Sequence, residues 1–155
     1  PGNWSGLNFT KTSVNSEMEN ISVRYAGGFF GYNYCTSAGI KIDQATVSIK
    51  NAILEKNHNI GLWLINTPSV IDSIQVFDHQ AVPFENCGGE GIHIEGGSPI
   101  IKNSYIQKNV FGIYKEDWTN PETGDLIPAT PILENNFVYD NIENYWPPEV
   151  IIGSP

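Results

Sequence analysis

One short phrase recurs along the chain, and it constrains the fold more than any other feature. A Gly-apolar-x-apolar string appears as GLNF at Gly6, GIKI at Gly39, GLWL at Gly61 and GIHI at Gly91, with a degraded copy, GIYK, at Gly112. The copies begin 33, 22, 30 and 21 residues apart. A second phrase interleaves with the first: ENISVRYA, KNAILEKN, DSIQVFDH, KNSYIQKN and ENNFVYDN. Its alignment yields one column of Asn20, Asn51, Ser73, Asn103 and Asn135, and, six residues on, another of Ala26, Asn57, His79, Asn109 and Asn141. Two apolar columns run beside them: Val23, Leu54, Val76, Ile106 and Val138, and Met18, Ile49, Ile71, Ile101 and Leu133.

Each column has a physical reading. Apolar positions alternate with variable ones, so each phrase is a short strand with one buried face. Glycine ahead of the first strand lets the backbone turn a corner without a Cβ clash. Asparagine at a recurring turn bonds the nearby backbone and, stacked in register, the asparagine above and below. A unit of about 22 residues holding three short strands cannot bury its inner face alone, and stacking the copies solves that problem. The 20 Ile and 17 Asn of the chain, strand and turn formers respectively, agree with many short strands joined by tight turns.

At 155 residues the chain is expected to be one domain. Its 17 acidic against 8 basic residues leave a net charge of −9, which repels phosphate backbones and anionic lipid surfaces, so neither nucleic acid nor membrane insertion is expected. No apolar run approaches the roughly 20 residues of a membrane helix, and 40% apolar content is too high for disorder. The chain opens at Pro1 without initiator Met or targeting segment, so it reads as an excised piece of a longer polypeptide. The Asn-x-Ser/Thr sequons at Asn3, Asn8 and Asn20 matter only in a glycosylating host.

The pieces NWSGLNF and ISVRYAGG, with the columns above, resemble the right-handed parallel β-helix repeat, the generic repeat of the pectate-lyase-like superfamily. The resemblance runs from about residue 4 to residue 146. It implies an all-β, right-handed parallel β-helix of five to six coils with asparagine ladders and loop insertions. Function must come from the site, because the repeat serves lyases, hydrolases, epimerases, adhesins and passive stalks alike.

Insertions interrupt the repeat at residues 27–38, 80–90 and 117–131. The first two carry the cysteines, Cys35 and Cys87, each four residues before a repeat glycine. Two coils separate them by about 10 Å, beyond disulfide reach unless the loops lean together, so the redox state stays open.

In each first strand the variable positions point outward. The first outward column is Asn8, Lys41, Trp63, His93 and Tyr114; the second is Thr10, Asp43, Ile65, Glu95 and Glu116. Aromatic faces beside carboxylates suit sugar rings, whose C–H faces stack while hydroxyls take hydrogen bonds. Lys41, Asp43, Trp63, His93, Glu95, Tyr114 and Glu116 are therefore the expected ligand-binding residues, with Trp118, Phe29 and Phe30 as walls. The competing reading is that these aromatics stack on one another under an insertion loop. Glu95 and Glu116 fall on adjacent coils, so their backbones lie about 5 Å apart, near enough to share a proton or a cation. Lys41 and His93 offer a base and a cation of the kind a lyase uses. Hydrolases of this fold carry Asn-Thr-Asp, Asp-Asp, Gly-His-Gly and Arg-Ile-Lys elements, none of which occurs here, and the single arginine, Arg24, lies on another strand. His79 reads as a ladder substitute and His58 as a solvated turn residue. No cofactor is called for; calcium would find carboxylates on this face, but no ligand pattern of its own.

Open solenoid ends expose strand edges and invite pairing, with Pro147 and Pro148 as a stop at one end. The expectation is a non-catalytic module of an extracellular or cell-surface protein that recognises a polysaccharide or surface glycan. Two alternatives stand beside it. One is a polysaccharide lyase or glycoside hydrolase using Lys41, His93, Glu95 or Glu116. The other is a filament subunit associating through its open ends.

Overall fold

The computed structural model describes residues 4–27, 36–79, 81–82 and 87–148, the last three groups broken only by residues 80 and 83–86. The sequence expectations for Asn3, Phe29, Phe30, Cys35 and the Cys87 side chain fall outside these described residues. The architecture is all-β, and no α-helix occurs among the described residues.

Three parallel sheets account for almost every strand. The first holds β1 (Leu7–Phe9), β4 (Ala38–Asp43), β7 (Ile60–Ile65), β12 (Glu90–Glu95), β15 (Phe111–Glu116) and β20 (Glu143–Trp146), in that order. The second stacks β2 (Ser16–Glu19), β5 (Val47–Lys50), β8 (Val70–Asp72), β13 (Ile100–Lys102) and β18 (Ile132–Glu134). The third stacks β3 (Ser22–Arg24), β6 (Ile53–Glu55), β9 (Gln75–Phe77), β14 (Tyr105–Gln107) and β19 (Phe137–Tyr139). The chain visits the sheets in rotation, so each strand pairs with its counterpart one repeat away. Two antiparallel hairpins fall in the insertions: β10 (Ala81–Val82) with β11 (Cys87–Gly88), and β16 (Trp118–Thr119) with β17 (Leu126–Ile127).

The registers reproduce the sequence columns. Met18, Ile49, Ile71, Ile101 and Leu133 stack across the second sheet. Val23, Leu54, Val76, Ile106 and Val138 stack across the third. The first sheet contributes Ile40, Leu62, Ile92 and Ile113. These stacks form one core, in which the central members are fully buried. Each fully buried aliphatic side chain stabilises the fold by about 1.5–3 kcal/mol.

The two asparagine columns do different work. Asn20, Asn51, Ser73, Asn103 and Asn135 all adopt left-handed backbone, with φ between 51° and 56°, and each is the single residue that swings the chain from the second sheet toward the third. Asparagine tolerates that region better than other non-glycine residues. Only the Asn51–Asn20 pair bonds side chain to side chain in this column, at 3.4 Å.

The second column is the buried ladder. The N–H of Ala26 donates to Asn57 Oδ1 (3.0 Å), that of Asn57 to His79 Nδ1 (3.1 Å), that of His79 to Asn109 Oδ1 (3.2 Å), and that of Asn109 to Asn141 Oδ1 (3.0 Å). Each bond joins equivalent positions of successive repeats and satisfies a backbone donor that the core would otherwise strand.

The repeat glycines correct the sequence reading at four of five positions, Gly6 alone taking the left-handed φ of 86° that a corner asks of glycine. Gly39, Gly61, Gly91 and Gly112 lie within strands and outside the left-handed region, so they turn no corner. They are glycine because the ladder side chains need the space. A Cβ on Gly39 would meet Asn57 Nδ2 at 2.6 Å, one on Gly91 would meet Asn109 Nδ2 at 2.8 Å, and one on Gly112 would meet Asn141 Nδ2 at 2.8 Å. A Cβ on Gly61 would run into His79 Nε2.

Candidate functional site

The outer face of the first sheet brings the expected residues into one row. The register aligns Asn8, Lys41, Trp63, His93, Tyr114 and, beyond the expected set, Trp146. Beside it run Asp43, Ile65, Glu95 and Glu116. The second column was expected to start at Thr10, which is exposed and lies past the end of β1, outside the ladder.

The row is linked by ring contacts, stacked at one pair and edge-on or tilted elsewhere, with Phe111 bridging its last two members. Lys41 Nζ sits 4.2 Å from the Trp63 ring centroid, a cation–π contact. Trp63 stacks on His93 at 5.6 Å, and His93 meets Tyr114 edge-on at 4.8 Å. Phe111 then touches Tyr114 at 5.7 Å and Trp146 at 6.2 Å.

The two halves of the row differ in exposure. The third insertion folds back as the β16–β17 hairpin, and Trp118 packs with Ala38, Ile60, Trp63 and Ile65 in a small second cluster, with Ile127 against it. Trp63 is thereby 8% exposed, and His93, between the Trp63 and Tyr114 rings, is 8% exposed as well. Trp146 keeps 43% of its surface in solvent, Tyr114 is half-buried and Glu116 is exposed. The face is thus covered by loop packing at Trp63 and left as open aromatic surface toward Tyr114 and Trp146.

His93 is held by two carboxylates. Its Nε2 lies 3.1 Å from Glu116 Oε1, and its Nδ1 lies 2.7 Å from Glu90 Oε2. The Glu90 contact is an ion pair that meets off the axis a hydrogen bond requires. Burial alone pulls the imidazole down, but the Glu116 and Glu90 carboxylates together outweigh it and push it up to about 9. Glu95 accepts the Trp63 indole N–H at 3.2 Å, and Glu116 accepts the Tyr114 hydroxyl at 3.4 Å. Burial raises the Glu95 carboxyl, whereas the hydrogen bond with His93 lowers that of Glu116. Tyr114 is raised by burial, with Glu116 and Glu90 adding to it.

Glu90 was not among the expected residues. Strict alternation sends it inward, because it stands two residues before the core residue Ile92. The ladder skips the glycine, pairing Glu90 with Ile60 and resuming at Ile92 with Leu62. Ala38, Ile60, Glu90 and Phe111 all contact outward residues. The recurring glycine is the signal that could have located this third outward column. Trp146 was missed because its strand has no Gly-apolar-x-apolar phrase.

The remaining candidates lie elsewhere. Asp43 is half-buried in the column beside the row, two strands from Glu95, and accepts a bond from Gln44. His79 belongs to the ladder, and His58 is half-buried, its N–H bonded to Ala26 O. Arg24 pairs with Glu55 at 2.7 Å on the third sheet. Among the described residues, His93, Glu95 and Glu116 form a group able to hold a cation, one ligand atom of each lying within 4.8 Å of the others. Among the described residues, no helix is long and apolar enough to cross a membrane.

No protein-family model matches the chain. A UPF0182 protein of Synechococcus elongatus is 25% identical over 141 residues, covering 88% of this chain and 14% of the relative. A UPF0182 protein of a second Synechococcus strain matches to the same extent. The chain thus spans 14% of the length of these curated relatives. No solved structure matches it.

Proposed function

We propose that the chain is a right-handed parallel β-helix of five to six coils, a module of an extracellular or cell-surface protein, that binds carbohydrate without turning it over. The observation that carries this reading is the open end of the aromatic row, where Tyr114 and Trp146 stand in register with Phe111 beside them and Glu116 exposed alongside. Aromatic faces of this kind take the C–H face of a sugar ring, and a flanking carboxylate takes its hydroxyls. The parallel ladder fixes both in advance, so little ordering cost falls on binding.

The residues that would serve a lyase are otherwise engaged. His93, pushed up to about 9 between two carboxylates, is protonated at neutral pH and makes a poor base. Lys41 is half-buried over the Trp63 ring.

One observation favours a second reading, a glycoside hydrolase. Glu95 and Glu116 stand in register one strand apart, with burial raising the first and the His93 bond lowering the second. Carboxyl groups driven apart in this way divide into acid and base or nucleophile. Size-exclusion chromatography of a polysaccharide panel after incubation with the protein separates the readings. Co-elution at unchanged polymer size supports the binding module; a shift to smaller size supports the hydrolase and overturns our reading.

A further inference from the structure

We propose that His93, Glu95 and Glu116 form a three-ligand site for a divalent transition-metal cation, with Zn²⁺ favoured over Ca²⁺. One ligand atom from each residue lies within 4.8 Å of the other two, and an ion with bonds of about 2.0–2.2 Å joins ligands at such separations after small side-chain adjustments.

The second observation is what stands behind the ligands. Glu90 is 9% exposed, its Oε2 has no hydrogen-bond partner, and it lies 2.7 Å from His93 Nδ1. A carboxylate behind an imidazole nitrogen is the arrangement that fixes the tautomer and orientation of a metal-binding histidine. The two carboxylates are tethered likewise: Trp63 Nε1 holds Glu95 Oε2, and the Tyr114 hydroxyl holds Glu116 Oε2. His93 Nε2 and Glu116 Oε1 then meet each other at 3.1 Å, a contact that an ion shared with Glu95 would replace.

Charge points the same way. Glu90, Glu95 and Glu116 surround one imidazole, and none of the three pairs with a Lys or Arg among the described residues. Lys41, the ammonium group of the row, is spent on the Trp63 ring. Partly buried carboxylates in excess of cations are stabilised by a bound cation. One nitrogen and two carboxylate oxygens suit a borderline ion with an open fourth position, whereas Ca²⁺ seeks six to eight oxygens.

This inference does not depend on the carbohydrate reading, and its test uses no glycan. Chelator-stripped protein is titrated with ZnCl₂, and in parallel with CaCl₂, by isothermal calorimetry while tryptophan fluorescence is followed. The expected result is one Zn²⁺ per chain, a fluorescence change from Trp63 stacked on His93, and no comparable Ca²⁺ binding. Glu95→Gln and Glu116→Gln should each weaken Zn²⁺ at least about 10-fold, and Glu90→Gln about 10- to 100-fold. His58→Ala should leave it unchanged. Glu116 is exposed but bonds His93 and Tyr114, so the melt of metal-free Glu116→Gln is recorded beside its titration, and loss of binding by a variant that still melts cooperatively reports ligation. Absence of Zn²⁺ binding up to about 1 mM, equal to a free energy of only about 4 kcal/mol, would overturn the proposal. So would Zn²⁺ binding that survives both Glu95→Gln and Glu116→Gln.

Discussion

Gly61 and His79 compete for one volume: a Cβ on Gly61 would run into Nε2 of the His79 ring, and would also come within 2.6 Å of the Gly91 carbonyl oxygen. The repeat glycine and the ladder residue are thus one steric unit, repeated as Gly39 with Asn57, Gly91 with Asn109 and Gly112 with Asn141. Gly61→Ala should destabilise the protein by about 1–3 kcal/mol through overpacking, read as a lower midpoint in denaturant. Gly124→Ala is the contrast. It has φ +77° but nothing within 4 Å of a Cβ, so it carries only the backbone cost of about 1–2 kcal/mol.

The two asparagine columns separate by substitution. Asn51 is an exposed left-handed corner with φ 52°, so Asn51→Gly should change stability by only a few tenths of a kcal/mol. Asn109 is 4% exposed and accepts the His79 N–H at 3.2 Å. Asn109→Gly strands that donor and should cost about 2–4 kcal/mol from the orphaned group and the void together. Thermal unfolding of the two variants side by side checks the pair; equal losses would mean that the columns share one role.

His79 makes stability depend on pH. Its Nδ1 accepts the Asn57 N–H at 3.1 Å, which requires an unprotonated nitrogen, and burial pulls it down to about 4. In the unfolded chain it titrates near 6.5. The unfolded state therefore binds more protons between these values. The contribution of neutral His79 is complete above pH 6.5 and is lost as pH falls toward 4, the loss reaching about 3 kcal/mol at that end. His79→Asn keeps the ladder form of the neighbouring repeats and should flatten this part of the stability–pH curve. A curve of unchanged slope in that variant would show that His79 is not its source.

The third insertion covers Trp63. Trp118, 8% exposed, packs with Trp63 and Ile65. Trp118→Ala should uncover both, making Trp63 accessible to an aqueous quencher and costing about 3 kcal/mol. Quenching that stays at its original level would show that the hairpin does not shield Trp63.

Much of this fold was legible because a stacked repeat writes its contacts into the alignment. Ile49, Ile71 and Ile101 share a column in the sequence and a ladder in the structure. The outward row from Lys41 to Tyr114 followed from the same alternation. Three things escaped. Tyr25, Lys56 and Lys108 take left-handed backbone at φ 54°, 51° and 56°, and residues of those types carry no turn signal. Glu90 reaches His93 on the outer face although the register with β7 is the same before and after Gly91, a turn of the side chain that alternation alone does not register. That an insertion loop packs over the outward aromatics was one of two readings open in the sequence, but that Trp118 is the residue against Trp63 depends on how a 15-residue insertion folds back, which no column of the repeat encodes.

The measurement that most directly tests the central claim is affinity electrophoresis of the protein through gels containing neutral and acidic polysaccharides. The account predicts that at least one polysaccharide retards the wild-type chain without being shortened. Tyr114→Ala and Trp146→Ala should each weaken that retardation about 10-fold or more, as loss of a stacked aromatic does. Phe137→Ala, on the exposed Tyr105–Phe137 pair of the third sheet, should not. Retardation by no polysaccharide, or retardation lost in Phe137→Ala but kept in Trp146→Ala, would contradict it.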